Sequence, residues 1–207
     1  MKKLWIHSLA ATVTLALAAA VFAQSLAKYD SKPGTKVKMD GTSSIHDWTV
    51  ESGIVAGTLE IDSAFVANPM AAKPGKIAAQ VTTTIPVRSL KSGTKAMDDR
   101  MYQAMNMAKF PKIEYRLTEL TLKESPKSAN GPFSFDSKGE LSLSGVTNKV
   151  SFPVTMKRED KTLKTSGSTT VKMTSFGIEP PGLILGIKTG DEVKITFDWV
   201  TGVSEAK

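Results

Sequence analysis

The chain has 207 residues and no cysteine, which excludes thiol catalysis, zinc-thiolate sites and any reliance on disulfides. Its 27 basic and 20 acidic residues give a net charge of +7, but the two signs are interleaved along the chain. A nucleic-acid footprint needs a focused basic stripe, so a solvated surface is expected and nucleic acid is not expected as a partner.

Lys2 and Lys3 precede an apolar run from Leu9 to Phe22 and small residues ending at Ala23, the order of a cleavable secretory signal. The run is shorter than the roughly 18 to 20 apolar residues a spanning helix needs, so removal of residues 1–23 is expected and stable membrane insertion is not. Residues 24–207 are then a single exported domain, periplasmic or secreted, long enough for a core and a cavity.

Apolar alternation with period two, the mark of strands with one buried face, runs through most of the rest. It begins around Val37 to Met39 and Trp48 to Ile61, then skips Asn68 to Lys76, which reads as a loop. It resumes at Ile77, Ala79, Val81, Thr83 and Ile85. The segment Ala96 to Ala108 breaks the rhythm: it lacks β-branched residues, and Met97, Met101 and Met105 recur at i, i+4, i+8. A single short helix over about 96–108 is expected there, capped by Thr94 or Ser92, with Asp98 and Asp99 at its positive end. Phe110-Pro111 returns the chain to extended backbone.

Strand patterns follow at Ile113, Tyr115 and Leu117, then, beyond a loop from Lys123 to Pro132, at Leu141 and Leu143. Val150, Phe152, Val154 and Met156 come next, then Val171 with Met173, and Val193, Ile195, Phe197 and Trp199 close the series. Glycine-containing links such as Gly145 to Asn148 suit antiparallel hairpins. About eight strands in an all-β chain fit a closed barrel or a two-sheet sandwich, and the pattern alone does not choose.

Chemistry-bearing residues are sparse. His46 is the one histidine of residues 24–207 and stands beside Asp47 without the further ligands a metal site wants or the serine turn a triad uses, so no metal is expected. A structural or hydrogen-bonding role is preferred for it over catalysis. Asp98 and Asp99 are adjacent and would diverge on a helix, so they do not form an acid/base pair. The glycines of FGIEPPGLILGIKTG lack the strand-to-helix context of a phosphate loop, and no cofactor is expected. In the same stretch Leu183, Ile184, Leu185 and Ile187 form an apolar run, read as a loop over one end or as an apolar rim.

GTSSIHDW at 41–48, IPVRSLKSGTKAMDDRMYQAMNMAKFPKIEY at 85–115, GELSLSGVTNKVSFPV at 139–154, and the closing MTSFGIEPP and DEVKITFDW together resemble the YceI-like family. That resemblance implies an eight-stranded antiparallel lipocalin-like barrel with one short helix near one end, around an elongated apolar pocket for an isoprenoid chain of polyprenyl phosphate or quinone type. On this basis the chain is expected to be a non-enzymatic carrier of an isoprenoid lipid. Tyr115, Phe152, Phe176, Phe197 and Trp199 are expected in the walls, with Met101 and Met105 from the helix. His46, Arg88, Arg100 and Lys109 are candidates for headgroup contact at the mouth. The alternatives are a small-molecule hydrolase centred on His46 and a stress-related protein that binds partners through an apolar surface.

Overall fold

The computed structural model describes residues 25–182 and 188–204; the expected signal and the apolar run from Leu183 to Ile187 lie outside them. Eleven strand segments form one antiparallel sheet: β1 (Leu26–Ser31), β2 (Lys36–Ser43), β3 (Trp48–Ser52), β4 (Ala56–Asp62), β5 (Gly75–Ile77), β6 (Ala79–Pro86), β7 (Lys112–Leu122), β8 (Phe133–Leu143), β9 (Val146–Glu159), β10 (Thr162–Lys172) and β11 (Thr189–Val203). The order β1-β4-β6-β7-β8-β9-β10-β11 closes on itself because β11 also pairs with β1.

Eight strand positions make that ring, and three of them are held by broken strands. Along β11, Ser31 of β1 faces Thr201 and Lys36 of β2 faces Asp198, so β1 and β2 share one edge across a kink at Lys32 to Thr35. In the next position β3 continues the path of β4, and in the third β5 and β6 both pair with β7. Closure leaves few free edges, and eight strands leave an interior just wide enough for side chains or one ligand. The barrel alternative is thus the one adopted.

Alternation places Phe133, Phe135, Ser137, Gly139 and Leu141 of β8 inward, with Asp136 and Lys138 outward. On β9 and β11 the outward residues include Lys149, Lys157, Glu192 and Lys194. A barrel spanning a membrane would present an apolar band there instead. Among the described residues, no helix is long and apolar enough to cross a membrane. The β8–β9 hairpin is tighter than expected: Leu143 pairs with Val146 across Ser144 and Gly145, both at positive φ, as a two-residue turn requires.

Among the described residues, two α-helices attend the barrel, where one was expected. The unforeseen α1 (Ser63–Ala67) starts where the Asp62 carboxylate accepts from the Ala64 N–H at 2.9 Å. It drives Phe65 into one end of the barrel, 5.3 Å from the Phe133 ring and 5.7 Å from Phe135 in edge-on contact, within the cluster that includes Leu122 and Met156. The expected helix is α2 (Lys95–Ala104), shorter than 96–108 because Met105 to Lys109 turn away and Asn106 takes a positive φ of 48°. The expected loop Asn68 to Lys76 contains a 3-10 turn at Pro69–Ala71, and its last two residues open β5.

Candidate ligand-binding site

Helix α2 lies across the other end of the barrel. Thr94 stands at its N-cap without a side-chain cap bond; the Asp98 carboxylate instead turns back and accepts from the N–H and the hydroxyl of Ser92, both at 2.7 Å. Burial works to raise the Asp98 carboxyl, but the Ser92 donors and the Lys91 ammonium, 3.5 Å away, outweigh it and hold it below the ordinary value. The Tyr102 hydroxyl donates to the Leu90 carbonyl at 2.7 Å and accepts from Lys91 Nζ at 2.7 Å. These bonds tie the helix to the rim beside β6.

Beneath α2 the barrel is hollow. A cavity of about 480 Å³, within the range of small-molecule sites, is walled by Met39, Val50, Ile113, Leu141, Val171 and Ile195 of the strands, by Met97 and Met101 of the helix and by Met105 at its C-cap. Trp48 lies flat over Gly41, where a Cβ would stand 2.1 Å from the indole, and lines the same space. Thioethers are soft and adaptable, so this wall can follow an irregular apolar guest. Polar groups gather at the mouth: Ser43, His46, Thr94, Arg100 and Thr189.

Deeper in the barrel is a second chamber of about 140 Å³, lined by Tyr115, Phe152, Phe197, Trp199, Met156 and Thr165 among others. Leu141 and Ile195 line both spaces and so form the boundary. Tyr115 packs against the hydrophobic clusters on either side of it. Its ring covers Gly139, and its hydroxyl pairs with Ser137 Oγ at 2.7 Å. Burial raises the Tyr115 pKa and the bond to Ser137 partly opposes this, so the phenol is neutral throughout the ordinary pH range.

The sequence from residue 25 to 201 matches the YceI-like domain. The chain belongs to the YceI-like family. None of the curated proteins matches it. Among solved structures, the YceI-like barrel of this chain is similar to BcnA of Burkholderia cenocepacia, at 19% identity and a TM-score of 0.61, over 80% of this chain and 95% of that one. It is also similar to a polyisoprenoid binding domain of Saccharophagus degradans implicated in plant cell wall breakdown, at 12% identity and TM-score 0.63, over 86% and 99%. The YCEI protein of Campylobacter jejuni shares 12% identity at TM-score 0.57, over 75% and 85%. At these identities the likeness is one of fold.

In this YceI-like barrel the nominated residues separate into groups. Met101, Met105 and His46 line the upper cavity, and Tyr115, Phe152, Phe197 and Trp199 line the deep chamber. Phe176 is buried in the cluster around the upper cavity but stands behind its lining, and Arg88, exposed on a 3-10 turn at Val87–Ser89, lines neither space. Lys109 sits over the Phe110 ring, away from the mouth, whereas Arg100 is at it. The His46 ring faces the Asp47 carbonyl, with Nδ1 2.8 Å from it, and the Ser43 hydroxyl donates to the His46 backbone carbonyl and not to the ring. Among the described residues, no group of three or more His, Asp or Glu is placed to hold a metal.

Beyond Met101, Met105 and His46, the nominations passed over most of the aliphatic wall of the upper cavity. Met97, Leu141, Val171 and Ile195 were legible as inward positions by their alternation. Nothing in the sequence marked Thr165, a polar residue facing inward from β10.

Proposed function

We propose that this protein is an exported, non-catalytic carrier that takes the apolar chain of an isoprenoid lipid, of polyprenyl phosphate or quinone type, into the cavity beneath α2. The hollow upper barrel carries this reading: about 480 Å³ of space walled by methionine and aliphatic side chains, with polar groups confined to one rim. Each buried methylene-sized unit contributes about 0.8 kcal/mol, so a five-carbon prenyl unit contributes on the order of 4 kcal/mol before the cost of ordering the chain. Such a wall needs no specific chemistry to hold a guest. The polyisoprenoid binding named for the Saccharophagus domain, which shares the fold, supports the same ligand class. The order of Lys2, Lys3, the Leu9 to Phe22 run and Ala23 supports export.

Specificity for the headgroup falls to the mouth. Arg100 is exposed, lines the cavity and makes no ion pair among the described residues, and a guanidinium suits a phosphate in a forked, charge-assisted contact. Titration of the mature protein with geranylgeranyl phosphate and with geranylgeraniol tests both parts. Met101→Asp, which sets a charge in the wall, is expected to abolish uptake of both while circular dichroism stays native. Arg100→Ala is expected to weaken the phosphate about tenfold and to leave the alcohol unchanged, in line with the roughly 1.5–3 kcal/mol of a hydrogen bond to a charged group. Full uptake by Met101→Asp would place the ligand elsewhere.

A further inference from the structure

Six polar or charged residues of the described chain are buried, and five have their partners within the protein. Thr35 Oγ1 donates to the Lys32 carbonyl and accepts from the Val200 N–H, both at 3.1 Å. Ser52 pairs with Ser89 at 2.8 Å, Asp98 with Ser92 at 2.7 Å, Ser137 with Tyr115 at 2.7 Å, and Thr201 donates to the Leu163 carbonyl at 3.2 Å. The sixth is Thr165. Its Oγ1 has no hydrogen-bond partner among the described residues, although the side chain is only 8% exposed.

Burying a hydroxyl without a partner is costly, and valine, of nearly the same shape, would remove the cost while keeping the strand. The exception is therefore informative. Thr165 lines the deep chamber, on β10 between Met156 of β9 and Trp199 of β11, whose backbones are engaged in the sheet ladders on either side. A staggered χ1 step exchanges its methyl and hydroxyl, so the hydroxyl can be presented to the chamber without backbone movement. Of the chamber's other hydroxyls, Tyr115 and Ser137 pair with each other and Thr35 is bonded to Lys32 and Val200, while Thr83 and Thr169 are only half-buried, so Thr165 is the buried hydroxyl left without a partner among the described residues. At about 140 Å³ the chamber is too small to be a whole small-molecule site, and it adjoins the larger cavity above, with only the side chains of Leu141 and Ile195, among the described residues, lining both.

We propose that the deep chamber is a second ligand subsite, in which the Thr165 hydroxyl hydrogen-bonds one oxygen or nitrogen atom at the buried end of the chain that fills the upper cavity. The ligand class is then a long apolar chain with a hydrogen-bonding group at each end, one at the mouth and one inside. This rests on the carrier reading above and deepens it.

The test compares geranylgeranyl phosphate with its ω-hydroxylated form, binding to wild type and to Thr165→Val, with Trp199 as a fluorescent reporter in the chamber wall. Thr165→Val is expected to lower the affinity for the ω-hydroxylated phosphate about tenfold, the effect of leaving a buried hydroxyl unpaired, and to leave the parent phosphate unchanged. Without ligand the variant is expected to melt no lower than wild type. Affinities for the two phosphates that move together, or that do not move at all, would overturn the subsite. So would a melting temperature several degrees lower, because the hydroxyl would then be serving the fold. If wild type takes up neither phosphate, the carrier reading falls with it, a result distinct from uptake that ignores Thr165.

Discussion

Gly139 shows how single residues set the shape of the interior. It faces inward on β8, and a Cβ there would stand 2.5 Å from the Tyr115 ring, closer than any real contact, so glycine is what lets the aromatic lie across the barrel. Gly139→Ala is expected to destabilise the protein by about 1–3 kcal/mol, the usual cost of overpacking, read as a lower urea midpoint. Tyr115→Phe keeps the ring but strands the buried Ser137 hydroxyl, and a loss of about 1–3 kcal/mol in the same measurement is expected. If Gly139→Ala were neutral, the ring would be free to move and would not bound the deep chamber. At this scale the sequence was least legible. His46 drew attention as the lone histidine of residues 24–207 and Arg88 as a cation of the 85–115 stretch, yet neither residue type reports which way a loop or turn will point it.

Among the elements, legibility tracked how tightly each strand packs. The middle halves of β11 and β9 were legible because Val193 to Trp199 and Val150 to Met156 fill their inward positions with large apolar groups. β10 was read only at its end, because Thr165, Gly167 and Thr169 are the inward residues beside the chamber and carry no hydrophobic signal. The same holds for Ser137 and Gly139 of β8. Residues that leave space thus erase the periodicity that finds strands. α2 was found by its methionine stripe, but its end at Ala104 depends on the positive φ of Asn106, which few sequence signals mark. Tyr102→Phe, which removes the bonds tying α2 to the Leu90 carbonyl and Lys91, is expected to cost about 0.5–1.5 kcal/mol and to speed amide exchange across α2. Unchanged exchange would mean that cavity packing alone holds the helix.

A second element-scale device lies outside the barrel, where Glu119 of β7 bridges Lys138 of β8 at 2.7 Å and Lys76 of β5 at 2.5 Å. Hydrogen bonds from Lys138 and then Lys76 lower the Glu119 pKa from 4.5 to about 2. A depressed carboxyl pKa stabilises the fold fully above the unfolded value, and that contribution is lost as pH falls through the folded one. The urea midpoint of wild type is therefore expected to fall more steeply than that of Glu119→Gln between pH 4.5 and about 2. Both lysines are largely exposed, so molar salt is expected to shrink the difference. Parallel pH profiles would show that the bridge is fully screened.

The barrel has unlike ends: Phe65 of α1 packs edge-on against the rings of Phe133 and Phe135 at one, and α2 roofs a cavity at the other. Closure was legible through the family resemblance and the count of eight alternating stretches, which holds once the broken strands β1/β2, β3/β4 and β5/β6 are each taken as one position. Hollowness was not, because an inward-facing set of the same residue types makes either a filled core or a lined void. The central claim is that the void under α2 exists to hold an apolar chain. Mass spectrometry of an organic extract of the protein, purified from its natural compartment without detergent, tests this most directly. An isoprenoid lipid near one equivalent per chain, lost from Met101→Asp, is the result expected. An extract empty of lipid, from protein that also takes up no added polyprenyl phosphate, would contradict it.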